Sequence, residues 1–321
     1  MSSLFDLSKI KSLAQWRAIQ ADLQQAVRDC LGPVADPPRS LSYRVVSEDD
    51  LPSNVRRQQI AFILPSEETV VGWLFLPDGK RELPALLCCH DWVPQGKDEP
   101  AGIDARKYLD FALYYARNGY VTLTVDNIGA GDRPLCREGG WNRQAFEEAA
   151  PGHTLAGKML EDHRAVLSLF EECSAVDTGR IGVVGHGLGG FNALLLAAFD
   201  DRVQVCVASC GFTRFETDKL PGCWPSDPPL PLWPVRREDG SLPEFDWEHI
   251  LALAAPTATL VITPNAVHAN PKSCQKAVRL ADRIYKLLGA QGALDQYCYN
   301  TREPFTHESR EAADDWLERW L

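Results

Sequence analysis

The stretch Ile181-Gly182-Val183-Val184-Gly185-His186-Gly187-Leu188-Gly189-Gly190-Phe191 constrains this chain more than any other. Its first residues form an apolar run of strand type and its last residues open a helix, with only a glycine-rich turn between them. A strand that feeds a helix so abruptly crowds the backbone. The flanking residues must therefore be small, and the central one, Gly187, is thrust out above the strand ends. The spacing is not Gly-x-Gly-x-x-Gly after a first strand, so it does not signal a dinucleotide site.

The rest of the chain supplies the sheet that such a turn needs. From Pro84 onward, strand-like runs alternate with helical ones: strands over 85–89, 120–125, 181–184, 203–208, 259–263 and 295–299, and helices over about 105–118, 155–170, 191–199, 272–288 and 307–321. That alternation predicts an α/β fold with a mostly parallel central sheet and helices on both faces. Upstream, Leu13, Trp16, Ile19, Leu23 and Val27 recur at helical spacing and are closed by Gly32-Pro33. Three further strands are expected over 41–46, 59–64 and 69–76, the last two paired as a hairpin. Between Gly211 and Trp247 periodicity fails, and prolines with Trp224 and Trp233 replace it. This reads as an ordered, lid-like insertion over the strand ends. The expected organisation is an N-terminal helix and leading strand, 1–58, packed on a main domain, 59–321, that carries the insertion at about 211–247.

Composition narrows the partners. A chain of 321 residues, 45% apolar and 24% charged, fits one large soluble domain. Its 33 basic and 44 acidic residues give a net charge of −11 with no basic cluster, which argues against nucleic acid or an anionic membrane. No apolar stretch resembles a signal peptide or a membrane span. The ten cysteines show no zinc spacing and fall mostly in apolar runs, as buried thiols of a cytoplasmic protein do. No metal and no cofactor are expected. The expected partner is a small molecule, and a second copy of the chain is also compatible.

Several stretches together resemble the dienelactone-hydrolase and acetyl-xylan-esterase-like branch of the α/β-hydrolases. They are Gly96-Lys97-Asp98-Glu99-Pro100-Ala101-Gly102, Gly119-Tyr120-Val121-Thr122-Leu123 with Asp126, Gly157-Lys158-Met159-Leu160, the glycine turn, and Ala208-Ser209-Cys210-Gly211-Phe212. The resemblance spans roughly residues 60–321 and implies the α/β-hydrolase fold. It also implies a mechanism with a nucleophile at the elbow, an acid after the next-to-last strand and a histidine before the final helix.

Residue by residue, the machinery departs from that pattern. Gly187 stands at the nucleophile position. The loop Thr263-Pro264-Asn265-Ala266-Val267-His268-Ala269-Asn270-Pro271 holds no carboxylate, although the family places an aspartate near Ala266 or Val267. No relocated acid follows Ala208. Glu303 aligns with the histidine, and His307 lies about one helical turn later. All three triad roles are thus expected to be lost or replaced, leaving Glu303, His307, His268 and His90 as candidate acid–base groups.

The Leu188 N–H and one from the loop after Cys89 are expected to form an oxyanion or substrate-binding wall with His90, Asp91 and Trp92. The missing side chain at Gly187 is expected to leave room for a water molecule. Each role has a plainer alternative: His90 with Asp91 bracing its loop, His186 packing on the sheet, His163 in the core, and His268 and His307 on the surface. Cys89 ranks below water as an attacking group. Trp92, Trp141, Trp224 and Trp233 either line the pocket or simply pack.

Three functions follow. One is a repurposed enzyme acting on a carbonyl- or ester-bearing small molecule without serine acylation, as a lyase, cyclase, isomerase or water-attacking hydrolase. Another is a non-catalytic binding or scaffold pseudohydrolase. The third is a serine esterase with an engineered Ser-to-Gly change at the elbow.

Overall fold

The computed structural model describes residues 5–79, 82–135, 141–235, 239–265, 270–301 and 304–321. The strands are β1 (Tyr43–Leu51), β2 (Val55–Ile63), β3 (Thr69–Pro77), β4 (Leu83–Cys89), β5 (Val121–Val125), β6 (Val176–His186), β7 (Val203–Ser209), β8 (Cys223–Trp224), β9 (Leu230–Pro231), β10 (Ala258–Pro264) and β11 (Leu294–Tyr299). The helices are α1 (Leu13–Leu31), α2 (Phe111–Arg117), α3 (Arg143–Ala149), α4 (Leu155–Leu167), α5 (Leu188–Phe199), α6 (Trp247–Ala254), α7 (Pro271–Leu287) and α8 (His307–Trp320). The main sheet has nine strands in the order β1-β2-β3-β5-β4-β6-β7-β10-β11. β1, β2 and β3 run antiparallel, and every pair from β5 to β11 is parallel.

This is the α/β-hydrolase fold, with a mostly parallel central sheet and helices around it. β4, β7, β10 and the second half of β6, from Ile181 on, are mostly apolar and buried because both faces are covered. α5 packs against β6, β7 and α6, and α6 in turn against α7. α2 and α8 are tied together by Tyr114 Oη donating to Asp314 at 2.6 Å and Arg310 Nη2 donating to Asp110 at 2.5 Å.

Three elements differ from the sequence expectation, each for a physical reason. β1 runs on to Leu51 through Ser47-Glu48-Asp49-Asp50, where Arg57 pairs with Asp49 at 3.0 Å across the hairpin. As an edge strand exposed along most of its length it needs no apolar alternation. The 58/59 division falls inside β2, which is continuous from Val55 to Ile63. α2 starts at Phe111 rather than near 105, because Tyr108 sits at φ +66° and Arg106 is drawn to Glu99 and Asp91.

The stretch 211–247 is closed by α6, a helix absent from the sequence reading. Asp246 and His249 form its capping box. Within the stretch, Trp233 packs edge-on against Phe191 of α5 at 5.6 Å and Phe215 at 5.8 Å, and tilted against Trp247 at 6.1 Å. Trp233 is thus a core residue at 5% exposure rather than pocket lining, and Trp141 packs on Phe146. Trp224 is half-buried in β8, paired with Leu230 of β9.

Cutting Trp233 back to alanine is expected to destabilise the chain by about 3–5 kcal/mol, the cost of a large cavity among aromatic rings. Urea unfolding checks this. A loss under about 0.5 kcal/mol, as at a surface position, would mean that the insertion does not pack on the core as described.

Candidate active site

The register of β4 against β6 sets the site. Cys89 is the parallel partner of Gly185, so two residues further along each chain Asp91 and Gly187 emerge side by side above the strand ends. Gly187 holds φ +59° and ψ −125°, the strained geometry of a sharp strand-to-helix turn, which glycine adopts at least cost. A Cβ on Gly189 would lie 2.1 Å from the Cys89 carbonyl oxygen, so the turn is pressed against the end of β4.

The place where a side chain at 187 would project is filled. A Cβ on Gly187 would lie 2.0 Å from Oδ1 of Asp91 and 2.3 Å from its Cγ. That carboxylate is held on both oxygens: Oδ1 accepts the Leu188 N–H at 2.9 Å and the Trp92 N–H at 2.8 Å, and Oδ2 accepts Arg106 Nη2 at 3.0 Å. Arg106 is anchored from behind by buried Glu99, through Nε at 2.6 Å and Nη2 at 3.0 Å.

Two expectations are corrected here. The space left by the missing side chain is not open to a water molecule, because the Asp91 carboxylate occupies it. The Leu188 N–H is not free to bind a carbonyl, because it already donates to Asp91.

Burial works against charge on Asp91, but His186, the Leu188 N–H and Arg106 outweigh it and hold the carboxyl below the usual carboxylate range. His186 is pushed down to about 4, chiefly by burial, and is neutral at pH 7. Its Nδ1 lies 3.0 Å from Ser209 Oγ. That serine is sealed from solvent.

The remaining candidates separate cleanly. His90 braces its loop: the Asn127 N–H donates to Nε2 at 2.9 Å, which leaves Nδ1–H to donate to the Asp91 carbonyl at 2.5 Å. Trp92 contributes its N–H and lays its ring beside Gly129. His307 has a 61% exposed side chain near Glu311 and packs edge-on to Tyr108. Glu303 and His268 lie outside the described residues. Burial pushes the Cys89 thiol up, so it is not a thiolate, and Cys210 beside Tyr299 is pushed up to about 11, again by burial. His163 is buried and pushed down to about 3 by burial, with His90 and Arg133 acting in the same direction. Its Nδ1 has no hydrogen-bond partner among the described residues.

Two stretches behind the family resemblance, those holding Lys97 and Asp126, are tied directly to each other. Buried Lys97 donates through Nζ to Asp126 at 2.8 Å and to Asp132 at 2.6 Å, and its own N–H donates to Asp126 at 2.7 Å. Arg133 links Glu68 with Asp162. Asn192 of α5 donates to Asn127, the residue that fixes His90. No group of His, Cys, Asp and Glu suited to a metal occurs among the described residues, and no described helix is long and apolar enough to cross a membrane.

The sequence model of the alpha/beta hydrolase family matches residues 86–319, from β4 to the last helix. The chain belongs to the alpha/beta hydrolase family. A curated relative, "Putative hydrolase YtaP" of Bacillus subtilis (strain 168), is 35% identical over 132 residues, covering 40% of this chain and 43% of the relative. This hydrolase-family chain therefore matches less than half the length of that relative.

Among solved structures it is similar to a glucuronoyl esterase from Solibacter usitatus, with a TM-score of 0.72 and 17% identity over 96% of this chain and 94% of that one. It is also similar to "a putative acetyl xylan esterase" from Bacteroides fragilis NCTC 9343, with a TM-score of 0.69 and 17% identity over 97% and 89%. At that identity these two likenesses establish the fold.

Two measurements check the site of this alpha/beta hydrolase. Gly187→Ser is expected to cost about 1–3 kcal/mol through overpacking and backbone strain. Adding Asp91→Gly is expected to recover the overpacking part, giving a favourable coupling energy in a denaturation cycle. Strict additivity of the two changes would mean that they do not share one volume.

The second concerns pH. The folded His163 value, about 3, lies below its ordinary 6.5, so an unfolded chain binds a proton there that the folded chain does not. Its contribution is full above pH 6.5 and declines as pH falls toward 3. His163→Gln is expected to flatten the loss of stability between pH 6.5 and 4; an unchanged slope would remove His163 from that account.

Proposed function

We propose that this alpha/beta hydrolase acts on a carbonyl- or ester-bearing small molecule by chemistry that forms no acyl-serine, with the Asp91 carboxylate as the group a substrate meets at the elbow. One observation carries the reading: a carboxylate held by the Leu188 N–H, the Trp92 N–H and Arg106 fills the volume a side chain at Gly187 would need. A serine at 187 would require the Asp91 side chain to shift from this place.

The electrostatics favour proton transfer over acyl transfer. A tetrahedral oxyanion beside an ionised carboxylate would place two negative charges together in a poorly solvated site, and both elbow donors are already engaged. Proton abstraction from a ligand only moves charge, because Asp91 is neutralised as the ligand becomes an anion. The Asp91 side chain is 15% exposed, and Oδ2 has lone-pair capacity beyond its bond to Arg106. Its lowered proton affinity makes Asp91 a weak base, so an isomerase or lyase step here requires a proton that the neighbouring carbonyl has already strongly acidified.

A second reading, a non-catalytic pseudohydrolase, is favoured by the fact that Oδ1 already uses both backbone donors. In that case Asp91 simply closes the site.

Fluorophosphonate labelling of the native chain is expected to leave no adduct, on Ser209 included, and nitrophenyl acetate to give no acyl-enzyme burst. A serine adduct at the elbow would end the non-acylating reading. Turnover of a carbonyl or ester substrate is expected to fall by at least ~10²-fold in Asp91→Asn, the scale of a lost acid–base group, with binding largely kept. Unchanged turnover would favour the second reading.

A further inference from the structure

The elbow also has a ligand preference that can be read separately from any reaction. This inference rests on the reading above only in taking the elbow as the working site. We infer that the elbow is a receptor for a small carboxylate, and that the Asp91 side chain is its built-in occupant.

Every donor of that receptor belongs to something other than the Asp91 side chain. Two backbone N–H groups meet on one oxygen and a guanidinium meets the other, the arrangement that recognises a carboxylate. The guanidinium does not depend on Asp91 for its place, because Glu99 holds it through two hydrogen bonds. The loop backbone is pinned by His90, between the Asp91 carbonyl and the Asn127 N–H. Gly187 adds the volume, having no Cβ to fill it. Removing the CH2–COO⁻ of Asp91 would therefore leave an acetate-shaped vacancy lined by two N–H groups and a guanidinium, with the Arg106 charge no longer balanced by Asp91.

In the intact chain that vacancy never opens to solution on equal terms. An occupant tethered by one Cα–Cβ bond has an effective concentration of millimolar or far above, so free carboxylates at millimolar levels compete poorly. The ligand class is a monocarboxylate of acetate size. A neutral isostere such as acetamide lacks the charge that makes the guanidinium contact strong.

The experiment compares thermal unfolding of the wild type, Asp91→Gly and Asp91→Gly/Arg106→Met in sodium acetate, sodium chloride and acetamide at matched ionic strength. Acetate is expected to raise the unfolding temperature of Asp91→Gly saturably, by several degrees over chloride at about 100 mM. It is expected to leave the wild type and the double variant within about one degree, and acetamide to do nothing.

Equal responses of Asp91→Gly to acetate and chloride, or an equal acetate response in the wild type, would overturn the inference. Should Asp91→Gly not fold in chloride, its refolded fraction in acetate against chloride becomes the readout, and Asp91→Ala with formate repeats the test with a smaller vacancy. Failure of the proposed function appears elsewhere, as a fluorophosphonate adduct or as turnover indifferent to Asp91→Asn.

Discussion

One carboxylate ties together the parts of this molecule that concern function. Asp91 joins the end of β4, the start of α5 and the loop carrying Arg106, because its two oxygens take donors from all three. A half-buried ionised group of this kind is stable only where each oxygen is satisfied and the charge is countered. Much of the surrounding sequence meets that condition: Glu99 fixes Arg106, His90 fixes the loop backbone, and Asn127 fixes His90. Glu99 lies in one of the stretches behind the family resemblance, and there it serves as a support for Arg106.

A second buried ionic layer lies beneath the first. Lys97 joins the loop after β4 to Asp126 and Asp132 after β5, and Arg133 joins Glu68 to Asp162 of α4. Replacing such pairs by apolar residues can be neutral or stabilising, whereas removing one partner costs about 3–5 kcal/mol. Their contribution is best seen as geometric. Lys97 ties the loop after β4 to the loop after β5 through Asp126.

Most of the fold was legible, and the exceptions have causes. Alternating buried strands and amphipathic helices revealed the parallel sheet, because both faces of that sheet are covered. α6 escaped notice because Trp247–Ala254 is only eight residues long and buried throughout, and so short an apolar run does not tell a helix from a buried strand. β1 escaped in part because its polar residues lie on an exposed edge. At the site, Gly187, Leu188, His90, Asp91 and Trp92 were recognised as neighbours, but Asp91 was read as wall. The family pattern places an acid after β7 or β10, whereas the carboxylate beside Gly187 follows β4. The signal that could have placed it was the register: Cys89 opposite Gly185 puts Asp91 beside Gly187, and a charged residue there calls for a residue without a side chain opposite.

Gly187 and Asp91 are consequently a single choice. With any side chain at 187, Asp91 would have to leave the Leu188 and Trp92 N–H groups, stranding an arginine that Glu99 holds in place. With Asp91 seated, the elbow keeps its shape while its donors serve an internal anion. A side chain at 187 would enter the volume that the Asp91 carboxylate takes, so what stands at one position bears directly on what the other can hold.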